Sequence, residues 1–166
     1  TCEVTPHHLW FSSEDIKGEN TAFKMNPPLR GHIDREALRH ALRDGTIDFV
    51  ATDHAPHEAT AKGANFKTAA FGTTGLETSL RVLLSLVSRG EITPERVVEV
   101  FSLQGARFLG IDDEFGIIEE NRHLNAVLVD RHVKSRVTED DLYSLSKNSC
   151  FLGSELQGKI HGVFLG

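Results

Sequence analysis

The chain has 166 residues, 39% hydrophobic and 25% charged, enough for an ordinary globular domain with a real core. Its formal net charge of −6 argues against nucleic acid as a partner. No apolar run nears the ~20 residues that a membrane span needs, and no secretory signal is expected. Its two cysteines, Cys2 and Cys150, lie far apart and fit reduced thiols in a cytoplasmic protein. Nine histidines are many for this length, but their scatter makes no metal site by itself.

Thr1 to Thr5 is β-prone and starts without a lead-in, as expected of a piece cut from a longer polypeptide. Pro6 ends it. His7 and His8 are adjacent, so at most one can face a site; both are expected to be satisfied histidines in a loop. Phe11 to Phe23 reads as a polar loop with a helical turn. In Lys24 to Gly31, Pro27 and Pro28 fix the backbone behind Asn26. Such a loop could hold a polar ligand at little ordering cost, or be a plain polyproline connector. Asp34 is placed as an N-cap, with Leu38, Ala41 and Leu42 on one face and Arg43 and Gly45 closing the helix. A strand over Thr46 to Thr52 follows. Strand, loop, helix, strand is the alternation that builds parallel sheets.

The long polar segment Glu58 to Ala70 reads as a lid or binding loop. Thr74 and Glu77 have capping-box spacing. Leu76, Leu80, Leu83, Leu84 and Val87 then form one apolar stripe down to Arg89-Gly90. Free N–H groups at that helix start would either take an anion or simply be capped. Thr93-Pro94 opens another helix, with Val97, Val98 and Phe101 facing inward, and Gln104 to Leu109 a further short one. After Gly110 the character changes. Phe115 to Ile118, Leu124 to Val129 and Ile160 to Leu165 read as strands, Arg131 to Gly158 as irregular, and Ser146 to Phe151 as a loop packed between the two parts.

The stretch Asp48 to His57 organises the rest. Phe49 to Thr52 suits a buried parallel strand, which ends abruptly in Asp53, with His54 and His57 following and Pro56 stopping regular structure. A carboxylate at the carboxyl end of a buried strand, leading into a histidine-bearing loop, is where (β/α) barrels put their chemistry. A helix-capping Asp with two surface histidines is the other reading of the same spacing.

Four stretches in series resemble the dihydroorotase family of cyclic amidohydrolases: Cys2 to Leu9, Lys24 to Arg30, Asp48 to His57, and Phe71 to Thr78. The similarity runs along essentially the whole chain, including Ser146-Lys147-Asn148 through Gly158. The resemblance implies an α/β fold, the C-terminal portion of a (β/α)8 TIM-type barrel. Residues 1–110 would be its last two strands and following helices, and residues 111–166 a small β-rich appendage. It implies interconversion of carbamoyl aspartate and dihydroorotate by an enzyme holding one or two zinc ions. Asp53 matches the metal-associated aspartate that also shuttles the proton. Asn26 matches the side chain that binds the pyrimidine ring, His57 a histidine that holds the substrate carboxylate, and Gly72 a backbone contact to the ring. His57 and Asn26 favour dihydroorotase over hydantoinase or allantoinase relatives. Ala70 departs from a common family proline.

The family's His-x-His pair, its carboxylated lysine or equivalent acid, two further metal histidines and a substrate-pairing arginine have no counterpart here. They are expected upstream, and the isolated chain is expected to be inactive. Its unpaired strand edges should favour self-association or docking on an N-terminal half. The alternative implied function is a non-catalytic scaffold for aspartate transcarbamoylase. An independent metal-binding domain is disfavoured, because no zinc-like spacing occurs.

Overall fold

A computed structural model describes residues 1–63 and 65–166; Ala64, within the expected lid segment, lies outside the described residues. β1 (Glu3–Val4) pairs in parallel with β2 (Phe49–Val50), Val4 opposite Val50. Parallel strands cannot be joined by a tight turn, and the crossover contains α1 (Pro6–Trp10) and α2 (His32–Asp44). Pro6 does more than end β1. It is the first residue of α1, where its missing N–H costs nothing, and the Thr5 hydroxyl accepts from the His8 N–H.

Two boundaries differ from the sequence reading. The strand expected over Thr46 to Thr52 contracts to two residues, because a ladder is only as long as its partner. Bonds from the Asp48 N–H to the Cys2 carbonyl and from the Ala51 N–H to the Val4 carbonyl extend it slightly. The N-cap of α2 is Gly31, not Asp34. Asp34 instead lies in the first turn, where a carboxylate meets the positive end of the helix dipole. Gly45 closes α2 in a left-handed conformation, as its position implies.

After the short α3 (Ala59–Lys62) comes the expected amphipathic helix, α4 (Leu76–Ser88). One flank carries Leu83 and Leu86 into a core with Val4, Leu9, Leu42, Ile47, Val50, Val97 and Val100. The other carries Val82 into a second core with Phe23, Met25, Leu29, Val137, Cys150, Phe151 and Leu156. α5 (Pro94–Val98) runs through a π-turn into α6 (Gln104–Leu109). Val98 does not face inward. It is exposed, while Val97 and Val100, three apart on the same side, are buried. Arg96 donates to the Leu42 and Ile47 carbonyls at 2.8 and 2.7 Å, tying α5 to the end of α2.

β3 (Ala126–Arg136) and β4 (Glu155–Phe164) form an antiparallel pair. Arg131 to Gly158 is therefore not irregular throughout, and Phe115 to Ile118 is not a strand. Register shifts at Leu128/Val129 and between Asp130 and Lys134 break the alternation that would have marked β3 in the sequence. Arg81 of α4 donates from one nitrogen to the Ser135 carbonyl and hydroxyl, both at 2.8 Å, and to the Leu156 carbonyl. Gly158 allows β4 to lie on α4. Its φ is +100°, and a Cβ there would come 2.5 Å from the Leu84 side chain.

Phe151 is the largest fully buried side chain, its ring 5.1 Å from that of Phe11. Phe151→Ala should cost about 3–5 kcal/mol, read from urea unfolding. A loss below about 1 kcal/mol would mean that the second core collapses around the gap. Cys2 and Cys150 are both free. Burial pushes the Cys150 thiol up to about 12, so it stays protonated. Among the described residues no helix is long and apolar enough to cross a membrane.

Candidate functional site

The chain leaves β2 and turns at Asp53, whose φ of +47° is left-handed, a conformation Asp tolerates better than most L-residues. The side chain is exposed and does not cap a helix. α3 has Glu58 at its N-cap, with no side-chain bond. The loop after Asp53 runs beside the Phe71 to Gly75 loop. His54 and Thr73 form a parallel bridge, and the Ala55 N–H donates to the Thr73 carbonyl at 3.0 Å.

His54 is no surface histidine. Its Nδ1 accepts from the N–H groups of Gly75 and Leu76, both at 3.2 Å, at the start of α4. A nitrogen that accepts carries no proton, so Nε2 is the protonated one, and it faces the Ser144 hydroxyl at 3.3 Å. That hydroxyl in turn donates to Glu77 at 2.6 Å, and the Ser144 N–H donates to the same carboxylate oxygen. The Thr74/Glu77 capping box therefore does not form. The cap comes from 21 residues upstream, and Thr74 Oγ1 is buried with no partner among the described residues. Burial pushes the Glu77 carboxyl upward, but the Ser144 bonds more than offset it and leave it below its ordinary value.

His57 and Gly72 are in contact. The imidazole Nε2 donates to the Phe71 carbonyl at 2.7 Å. Gly72 has φ +125°, and a Cβ there would lie 2.5 Å from the Ala55 Cβ and 3.2 Å from His57 Nε2. Only glycine permits that approach. The Gly72 N–H donates to the Lys24 carbonyl at 2.8 Å. Lys62 folds in from α3, and its buried ammonium donates to the carbonyls of Gly72 (2.8 Å), Ala70 (3.0 Å) and Lys24 (3.3 Å). Burial is the chief cause that lowers its pKa. The expected lid segment is thus anchored to the Gly72 loop at α3.

Asn26 is exposed, its bond to Pro27 is cis, and among the described residues its side chain has no hydrogen-bond partner. The Pro27 carbonyl accepts from His8 Nε2 at 3.0 Å, and His8 Nδ1 meets the Thr5 hydroxyl at 2.6 Å. His8 is satisfied, as expected. Burial lowers its pKa, while the Pro27 carbonyl and the nearby charge of Asp53 oppose that. His7 is not satisfied. It is fully buried, and among the described residues neither ring nitrogen has a partner. Burial first, and the neighbouring His8 second, push it down to about 3.

The expected site residues therefore form two groups. His57 touches Gly72, whereas Asp53 and the Asn26 loop converge on His8. An open cavity of about 700 Å³ lies beside His57, Lys62 and Asn148; Asp53, Asn26 and Gly72 do not line it. Among the described residues no three His, Cys, Asp or Glu side chains gather as a metal site. A catalytic zinc takes about three protein ligands, so the donors of this chain alone do not fit one.

Four residues that carried no site role in the sequence analysis organise these groups: His8, Lys62, Ser144 and Asn148. Asn148 accepts the His57 N–H at 3.0 Å and donates to the carbonyls of Ala55 (3.0 Å) and Gly72 (3.4 Å). Its partners are up to 93 residues away, so no local pattern could have marked it.

Residues 9–166 match the Amidohydrolase family. A dihydroorotase of Bacillus cytotoxicus is 42% identical over 159 residues, and one of Staphylococcus aureus 38%. Each alignment takes in 95% of this chain and 37% of the relative, so the chain spans little more than a third of the length of the curated relatives it matches. The solved L-hydantoinase (dihydropyrimidinase) of Arthrobacter aurescens superposes with a TM-score of 0.88 at 26% identity, over 99% of this chain and 37% of that one. With its family match covering nearly every residue, and its fold shared by a solved relative, this chain belongs to the amidohydrolase family.

Proposed function

We propose that this chain is the C-terminal portion of a dihydroorotase, the enzyme that interconverts carbamoyl aspartate and dihydroorotate. The observation that carries the reading is the fusion of the Asp53–His57 loop with the Gly72 loop. An exposed carboxylate stands at the mouth of β2, and a histidine packs on a glycine with no room for a side chain. The dihydroorotase relatives, matched along 95% of the chain, support it. In this reading β1 and β2 are the last two strands of a (β/α)8 barrel, and residues 111–166 an appendage.

The roles are those that the family resemblance implies, and the chemistry of each side chain supports them. Asp53 takes a proton from the attacking water and returns it to the departing ring nitrogen, as general base and then acid. Asn26 offers an amide to the polar edge of the ring. His57 supports the substrate carboxylate, and the Gly72 backbone approaches the ring face. Together they supply orientation. Asp53 is also the one donor this chain would contribute to a zinc centre of one or two ions. The remaining donors must come from polypeptide beyond it. The two-stranded β1–β2 ladder has two unpaired edges among the described residues, which neighbouring strands of the same protein or another copy would cover.

The test compares ring opening of dihydroorotate with that of hydantoin and dihydrouracil by the full-length protein. A site that hydrogen-bonds a substrate group discriminates strongly against analogues lacking it. The expected preference in kcat/KM for dihydroorotate is therefore about 10²-fold or more. An equal or better rate on hydantoin would overturn the assignment. The 166-residue chain by itself should turn over none of the three, and measurable turnover would remove the need for outside metal donors.

A further inference from the structure

Asn148 lies in the segment leading into β4, far along the chain from every residue assigned a role above. Its side-chain amide nonetheless touches both loops of the candidate site. Oδ1 accepts the His57 N–H at 3.0 Å, and Nδ2 donates to the Ala55 carbonyl at 3.0 Å and the Gly72 carbonyl at 3.4 Å. Its own carbonyl accepts from the Thr74 N–H and the Thr73 hydroxyl, both at 3.2 Å.

The polarity of these partners is specific. One backbone N–H faces one side of the amide and two carbonyls face the other, so a single group must accept on one side and donate on the other. Asn does both. Asp, of equal size, can only accept. The amide also reaches the His57 backbone while that residue's ring holds the Phe71 carbonyl. The separation of the two loops and the direction of the imidazole are therefore set from the same point.

Resting on the dihydroorotase reading, we infer that Asn148 is a positioning residue for substrate binding. It holds the His57 loop at the distance from the Gly72 loop at which both meet the substrate. It touches no reacting atom. Its loss therefore acts on affinity more than on the chemical step.

The test uses the full-length protein with Asn148→Ala and Asn148→Asp, read by hydrogen exchange of peptides and by steady-state kinetics. Opening that breaks only local bonds speeds exchange locally. In Asn148→Ala, exchange over residues 54–58 and 71–75 should rise about tenfold, the size of one or two lost hydrogen bonds, while residues 80–88 of α4 keep the wild-type rate. In Asn148→Asp the His57 amide keeps an acceptor while the Ala55 and Gly72 carbonyls both lose their donor. Both loops should then loosen, but the His57 amide itself should stay near the wild-type rate. KM for dihydroorotate should rise about tenfold in Asn148→Ala, with kcat changed much less. Unchanged exchange in both loops, an equal rise in α4, or a fall in kcat at constant KM would each overturn the inference. Should the wild-type protein not open dihydroorotate, the functional reading fails separately. The exchange pattern then decides by itself whether Asn148 sets the two loops.

Discussion

Asp53→Asn in the full-length protein should slow ring opening by about 10²–10⁴-fold, the usual worth of a positioned general acid–base group, while leaving the thermal midpoint nearly unchanged. The substitution separates chemistry from structure. Asn tolerates the left-handed backbone at φ +47° about as well as Asp does, so the turn after β2 persists. Among the described residues the exposed Asp53 side chain makes no hydrogen bond or ion pair that the fold would miss. What is lost is the ability to take up and return a proton, together with one anionic donor. The His57–Gly72 contact and the Asn148 bonds survive, so substrate affinity should change far less than turnover. The measurement is kcat and KM for dihydroorotate beside a melting curve. Retention of more than about a tenth of wild-type kcat would place the proton shuttle elsewhere.

The second large effect concerns His7 and acid. Unfolded, its imidazole takes a proton near pH 6.5; folded, it resists until about pH 3, because the ring is buried away from water and lies 4.6 Å from the ring of His8. Above pH 6.5 both states carry a neutral ring and the residue is indifferent to pH. Between the two values the unfolded chain binds the extra proton. Stability is then lost as pH falls, by about 1.4 kcal/mol per unit. His7→Leu removes this term and replaces two unpartnered nitrogens with apolar surface, a change that is neutral or stabilising when no bond is broken. At about pH 7.5 the variant should equal or exceed wild type, and at about pH 4.5 it should lead by roughly 3 kcal/mol. Urea unfolding at several pH values measures this. Parallel stability curves for the two proteins would refute it.

The sequence showed what depends on neighbours in the chain and hid what depends on distant ones. The α4 helix, the Gly45 stop of α2 and the proline start of α5 are local physics, and all appear, but the stripe is shifted: Leu76 is exposed, and Val82 and Leu86 are fully buried beside Leu83. Thr74 and Glu77 had the right spacing for a box, yet His54 took the helix start and Ser144 took the carboxylate. Propensity cannot register a competitor that tertiary structure brings in. β3 and β4 were only half legible, since bulges and the charged run from Asp130 to Arg136 erased the alternation. Asp53 stood out because a buried strand ending in an acid is a short-range signal, whereas Asn26, Gly72 and the role of His57 were marked only by the family resemblance. Lys62 and Asn148 bind backbone carbonyls, which every residue has, so nothing in the sequence names their partners.

α4 carries Val82 into one core and the adjacent Leu83 into the other. One turn of helix is thus a party wall, and neither compartment can be vacated while the other stays occupied. The β1–β2 unit and the β3–β4 hairpin should consequently melt as one cooperative block. A lesion in either half is felt by the whole, including the loops that carry Asp53 and His57.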